Sequence, residues 1–194
     1  MRIVGGVARG RRLHPPPANL AIRPSSDLLR ESLCNILGPA QFRGHVLDLF
    51  AGTGAVGIEA LSRGATGVVF VDRDLGALRL IEKNLLLLRN LINGCSLHLL
   101  RHDLQGGLDF LQRPELPPAA SYRLVFLDPP YEKNLAGPTL AMVDRAQLLA
   151  PDGVVVVEER WPTELPQRCG SLHLDDTRRY GKAGLWFYRQ HETA

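Results

Sequence analysis

The chain contains no run of eighteen apolar residues and no basic-then-apolar leader followed by a small-residue cleavage site. A membrane span and an export signal are therefore not expected, and a cytoplasmic protein is. Cysteine is scarce: Cys34, Cys95 and Cys169 are odd in number, far apart and form no CxxC pair. That excludes a disulfide framework and a structural zinc site, and the thiols are expected to be buried as small hydrophobes, with no metal ligands in the chain. Internal repeats and low-complexity tracts are also missing, and RPELPPAAS is the one stretch that reads as a flexible insertion. With 194 residues there is enough chain for one substantial core and too little for two.

Charge is present but unevenly spread. Residues 1–30 hold Arg2, Arg9, Arg11, Arg12, Arg23 and Arg30 against Asp27 alone, a local +5 within a chain whose total is +3. Such a segment on a near-neutral body suits a polyanion, because arginines on phosphates supply the sequence-independent part of nucleic-acid affinity. A solvated arm that keeps the protein soluble fits the composition equally well.

The same segment, RIVGG-VARG-RRL, reads as a hairpin, and HPPPAN after it as a tether, since three prolines lack donors and fix φ. Residues 1–22 are thus an N-terminal extension and 23–194 the main domain. Ser25 or Ser26 caps a helix carrying Leu28, Leu29, Leu33, Ile36 and Leu37, which Gly38-Pro39 stops. From Val46 onward β-rich runs alternate with helical ones: VLDLF and a helix to about Arg63, GVVFVD and a Leu-rich helix, SLHLL and a short helix. YRLVFLD follows, then a helix over roughly residues 138–149, then GVVVVE. Five strands separated by helices describe a parallel sheet covered on both faces. SLHLDDTRRYGKAGLWFYRQ adds two strands joined by a turn, which must be antiparallel.

In DLFAGTGAVGIEA, Gly52, Gly54 and Gly57 stand in GxGxxG register between the first strand and a helix. Such glycines allow a tight turn and close approach of a ligand to the backbone. Asp72 ends the second strand, twenty residues after Gly52, where an acid can take both hydroxyls of a ribose. No lysine follows the loop, so a P-loop is excluded. Asp48, just before the glycines, suits the zwitterionic end of S-adenosylmethionine and would repel a pyrophosphate. Asp103, ending the third strand, is either an adenine ligand or the cap of the next helix.

FLDPPYEKN ends the fourth strand. The Asp128 carboxylate and the Pro129 carbonyl can both accept from one amine, the prolines hold them still, and Tyr131 can stack on a planar ring. An exocyclic base amine is a poor nucleophile until two acceptors favour a pyramidal nitrogen whose lone pair faces a sulfonium methyl.

Together, DLFAGTGAVGIEALSRGA and FLDPPY resemble the class I S-adenosylmethionine-dependent amino methyltransferases. MRIVGGVARGRRL, IRPSSDLLRESLCNIL and the closing RYGKAGLWFYR narrow the resemblance to the bacterial RsmD family, which methylates the N2 amine of one guanine in small-subunit (16S) ribosomal RNA. Family members usually carry threonines where Ser25 and Ser26 stand and an aromatic at Cys34. The resemblance implies an α/β, Rossmann-like sheet of about seven strands, parallel with one antiparallel strand near the C-terminus, with helices on both faces and an N-terminal β-hairpin. It implies a cofactor loop with Asp48, Phe50, Ala51, Gly52, Thr53, Gly54 and Gly57, ribose recognition by Asp72 beside Arg73, and adenine recognition around Asp103 and Leu104. Asp128, Pro129, Pro130 and Tyr131 would hold the amine. Arg2, Arg9, Arg11, Arg12, Arg23, Ser25 and Arg30 would face ribosomal RNA or an assembling small subunit, with Arg30 and Glu31 alternatively forming a structural ion pair. A monomer is expected.

Three rivals share some of these features, one of them a non-catalytic RNA-binding module, which would explain the arginines but not the cleft. An adenine-N6 methyltransferase acting on DNA or another RNA would also use DPPY, but usually needs a separate sequence-reading domain. A nicotinamide-dependent reductase would share GxGxxG and Asp72, yet gives no reason for DPPY.

Overall fold

The computed structural model describes residues 1–17, 26–131 and 133–191. Helix α1 (Asp27–Leu37) starts at Ser26, whose Oγ accepts from the Leu29 N–H at 3.1 Å. It stops at Gly38, with φ 69°, followed by Pro39. Strand β1 (His45–Leu49), helix α2 (Ala55–Ser62), β2 (Gly67–Asp72), α3 (Leu75–Leu86) and β3 (Ser96–Arg101) continue the expected alternation. After them come β4 (Tyr122–Leu127), α4 (Ala136–Arg145), β5 (Leu149–Arg160), β6 (Arg168–Cys169), β7 (Leu172–Tyr180) and β8 (Ala183–Gln190).

All eight strands form one sheet in the order β3-β2-β1-β4-β5-β8-β7-β6. The strands from β3 to β5 are parallel, β8 runs antiparallel to β5, and β7 and β6 each run against their neighbour. Strand order reverses between β1 and β4, which opens a crevice at their carboxyl ends. Each face buries its own cluster. One includes Val46, Phe126 and Val156 with Leu33 of α1, Ile58 of α2 and Ile81 of α3. The other includes Leu47, Val125 and Val155 with Leu140 and Val143 of α4. No helix among the described residues is long and apolar enough to cross a membrane.

Several local expectations need correction. The short helix after β3 is two 3-10 turns, Leu104–Gly106 and Asp109–Gln112, divided at Gly107 with φ 91°. Helix α4 begins at Ala136 and ends at Arg145, because Gln147 turns left-handed (φ 48°) and Leu149 already belongs to β5. RPELPPAAS is tied down: Leu116 is buried, the Pro117 carbonyl accepts from the Tyr122 hydroxyl, and Ala120 N–H donates to the Gln147 carbonyl. Strand β6, only two residues long, is an addition to the expected set.

The hairpin is a short ladder around an Arg2–Arg12 bridge, with Ile3 N–H donating to the Arg11 carbonyl and Gly10 N–H to the Ile3 carbonyl. It packs into the domain's own core through Ile3, Ala8 and Leu13. Glu59 of α2 accepts from Val4 N–H, Ser62 Oγ accepts from Ala8 N–H and donates to the Gly5 carbonyl, and Asn84 of α3 accepts from His14 N–H.

Candidate active site

The glycine loop joins β1 to α2 through left-handed residues: Phe50 (φ 60°), Gly52 (53°) and Gly54 (70°). A side chain at Gly54 would place its Cβ 2.7 Å from Ile81 Cγ1, and one at Gly57 would place it 2.3 Å from Phe70 Cε1. Those glycines let α2 and the loop lie directly on β2 and α3. Two carboxylates then fix the loop through its main chain. Asp72 Oδ2 accepts from Gly52 N–H at 2.8 Å while its Oδ1 accepts from Asp74 N–H, also at 2.8 Å. Asp48, 2 % exposed, accepts from Gly57 N–H at 3.0 Å. Burial pushes the Asp48 carboxyl up to about 8, the Gly57 N–H opposes that, and the charge on Asp72 adds to it. Asp48 thus braces the loop from beneath.

Beyond β2 and β3 a polar cleft of about 850 Å³ is lined by Arg73, Asp74, Leu75, Arg101, His102 and Asp103. Asp103 Oδ1 accepts from Gln105 N–H at 3.1 Å, so it does cap the following turn, and the carboxylate is exposed toward the cleft residues. Leu104 turns inward and is buried.

Across the crevice, Asp128 N–H donates to the Leu49 carbonyl at 3.3 Å, so DPPY begins against the end of the strand that launches the glycine loop. Asp128 and Tyr131 are half-buried, Pro129 is buried and Pro130 is exposed. The Tyr131 hydroxyl donates to Glu158 Oε1 at 3.4 Å. Burial first, then the nearby Glu158 and Asp128 carboxylates, raise that hydroxyl well above the ordinary phenol range, so it stays a neutral donor.

This geometry can be set beside known proteins. Residues 1–189 match the family described as Conserved hypothetical protein 95. The chain is 37% identical over 158 residues to Ribosomal RNA small subunit methyltransferase D of Haemophilus influenzae, covering 81% of this chain and 78% of that one. It is 33% identical over 194 residues to the protein of the same name from Escherichia coli, covering 98% and 90%. The chain belongs to the RsmD family. A solved Escherichia coli structure, provisionally named the methyltransferase yhhF, superposes with a TM-score of 0.80 at 30% identity over 100% of this chain and 99% of that one. The sheet is a Rossmann-like class I methyltransferase fold.

Within this RsmD-family chain the basic N-terminus divides into two groups. Arg2, Arg9, Arg11 and Arg12 are exposed. Arg11 Nη1 donates to the Leu87 carbonyl at 2.5 Å, and Arg2 pairs with Asp27 at 3.3 Å. Arg30 corrects the expectation that it faces RNA. It is 0 % exposed, pairs with Asp27 at 2.5 Å and donates to the Arg2 carbonyl at 2.8 Å. Its neighbours Leu29, Leu33, Cys34 and Leu37 form the buried stripe of α1, so its role is structural and its partner is Asp27, not Glu31. Arg23 and Ser25 lie outside the described residues. Of the three cysteines only Cys34 is buried, its thiol pushed up to about 12 mainly by that burial; Cys95 and Cys169 are half-exposed.

Glu158 and Glu159 are not marked by any motif. Both are buried at the end of β5, Glu158 under the Tyr131 hydroxyl and Glu159 accepting from Arg160 N–H at 2.8 Å. The one signal in the sequence is two consecutive acids closing the apolar run GVVVVEER, one strand away from DPPY.

Proposed function

We propose that this protein is an S-adenosylmethionine-dependent methyltransferase that modifies the exocyclic N2 amine of a guanine in small-subunit (16S) ribosomal RNA by direct transfer. The observation that supports this reading is the contact between Asp128 and Leu49, by which DPPY starts against the end of the strand that opens the glycine loop. The family relatives named for small-subunit ribosomal RNA support the substrate.

The residues present fit an adenosyl cofactor. The left-handed loop leaves Phe50 and Gly52 partly exposed while Gly54 packs on Ile81, Asp72 ends β2, and a polar cleft of about 850 Å³ continues toward Asp103. Asp72 would take the ribose hydroxyls, residues of the 50–57 loop the methionine end, and the cleft near Asp103 the adenine. When bound, S-adenosylmethionine supplies an electrophilic methyl on sulfur. The chain's own part is placement. The Asp128 carboxylate and Pro129 carbonyl each accept one N–H of the amine, favouring a nitrogen whose lone pair points along the transfer axis. The Tyr131 ring, anchored at its hydroxyl by Glu158, supports the face of the purine. Transfer to that nitrogen would form the new C–N bond at the expense of the cofactor's S–CH3 bond. The nitrogen, now cationic, then loses a proton to Asp128 or water, so Asp128 need not be a strong base.

The defining test is mass spectrometry of nucleosides from ribosomal RNA of a deletion strain, before and after treatment with the purified protein. N2-methylguanosine restored by treatment is the expected result; N6-methyladenosine would replace this reading with its rival.

A further inference from the structure

The arginines that suggested RNA all lie in the first thirty residues, yet the sheet brings a second cationic group to the rim that carries DPPY. Leu127 of β4 pairs with Val157 of β5, so Asp128 and Glu158 follow at the same level. Glu158 pairs with Leu185 of β8, and Leu185 with Arg178 of β7. Asp128 and Arg178 therefore lie three strand spacings apart, about 14 Å. Beyond Arg178 the chain runs through Arg179 and Tyr180, turns at Gly181-Lys182 and returns at Ala183, opposite Arg160. Arg178, Arg179 and Lys182 are all exposed.

This turn is held in shape. Trp161 N–H donates to the Lys182 carbonyl at 2.9 Å, and Arg179 Nε to the Gly181 carbonyl at 3.1 Å. Tyr180 packs on the core face that includes Phe126, the face Asp128 shares two residues later; Arg178, two residues before Tyr180, lies on that side too. Arg179 lies on the other side, its guanidinium 5.8 Å from the Trp161 ring, which in turn stacks on Trp186 at 5.9 Å. Asp176 pairs with Arg178 at 2.8 Å, the buried Glu158 and Glu159 of β5 lie two strands from Arg178 and Arg179 across β8, and Asp175 is engaged by Arg189 and His191.

We infer that the β7–β8 turn is a second RNA-binding surface, which grips single-stranded RNA flanking the target base. Arg178 and Lys182 take phosphates, and on the other side of the turn Trp161, beside Arg179, offers a ring for a neighbouring base to stack on. The position selects the partner. The surface begins about 14 Å from the amine-binding residues, roughly four stacked nucleotide rises, so a strand delivering a base to Asp128 has this turn within reach. Arg11 of the N-terminal hairpin reaches the end of α3 at Leu87, whereas Arg2 pairs with Asp27 at the start of α1, and this turn lies on the β8–β7 edge of the sheet. RNA would be held on both sides of the crevice.

The inference rests on the proposed RNA substrate, and its test separates the two. The triple variant Arg178→Gln, Arg179→Gln, Lys182→Gln should keep its melting temperature and its affinity for S-adenosylmethionine. It should bind small-subunit ribosomal RNA about tenfold more weakly at physiological salt, with a salt slope flatter by about 0.7 for each phosphate that is no longer neutralised. Wild-type affinity and slope in the variant would overturn the surface while leaving the functional reading intact. Photo-crosslinking of the wild type to thiouridine-substituted ribosomal RNA gives an independent readout. Label in residues 172–191 is expected, and label confined to residues 1–17 contradicts it. A wild type that neither binds nor methylates RNA overturns the functional reading and the surface with it.

Discussion

The two sides of the crevice are built differently. On the glycine-loop side, proposed to hold the cofactor, the described contacts run from main chain to carboxylate: Gly52 N–H to Asp72 and Gly57 N–H to Asp48, with Gly54 and Gly57 packed too closely for any side chain. On the DPPY side, proposed to take the base, the groups are side chains at the ends of β4 and β5, with Tyr131 propped by Glu158. The loop needs particular φ values and close packing, so a substitution there is expected to disturb folding and cofactor binding together. A side chain on a strand end can be changed with the strand left in place, so chemistry can disappear while the fold survives.

That contrast can be broken by experiment. The largest effect is expected at Asp128→Ala, which should lower turnover on the order of 10³-fold while cofactor affinity stays near wild type. A parallel loss of cofactor binding, measured by calorimetry, would erase the division. Next is Gly57→Ala on the other side. Its Cβ would meet Phe70 and Val68 within 3 Å, so a stability loss of about 1–3 kcal/mol is expected, with weaker cofactor binding, read by thermal melts with and without S-adenosylmethionine. An unchanged melting temperature would show that the loop is looser than its packing indicates.

Asp48 gives a pH signature of the glycine-loop side. Its folded carboxyl is raised toward 8, so the folded state holds a proton that the unfolded chain releases near pH 4. The resulting contribution is fully present below the unfolded value and fades as pH rises through about 8. Melting temperature should therefore fall across that window, and Asp48→Asn, which still offers Gly57 N–H an acceptor, should flatten the fall. An identical pH profile in the variant would remove Asp48 as its source. The smallest effect is expected at Tyr131→Phe, where the ring remains and the hydrogen bond from its hydroxyl to Glu158 is removed. Turnover should drop by about tenfold or less, equivalent to roughly 1 kcal/mol. A drop as deep as that of Asp128→Ala would mean the hydroxyl, not the ring, carries the function.

Legibility in the sequence follows the same division. The glycine spacing and Asp72 are readable because a left-handed loop and its acid leave residue types at fixed distances along the chain. DPPY is readable because it ends its own strand. Glu158 is not: it lies far downstream, and only the β4–β5 pairing brings it under Tyr131. The cationic turn is hidden for the same reason, since three pairings across β5, β8 and β7 are needed to bring Arg178 to the rim. Arg30 is misread from composition although its position is informative. It occupies the buried stripe of α1, three residues after Asp27, the spacing of a helix ion pair. The end of α4 cannot be read from its apolar pattern, because the left-handed Gln147 is a residue type that does not announce such a turn.

The most direct measurement is the identity of the atom methylated. Small-subunit ribosomal RNA from a strain lacking this protein is incubated with the wild type and methyl-labelled S-adenosylmethionine, digested and analysed by mass spectrometry, with Asp128→Ala in parallel. Label in N2-methylguanosine, absent with the variant, is the expected result. Label in N6-methyladenosine, or equal label with Asp128→Ala, would contradict the assignment of Asp128 and its neighbours to a guanine amine.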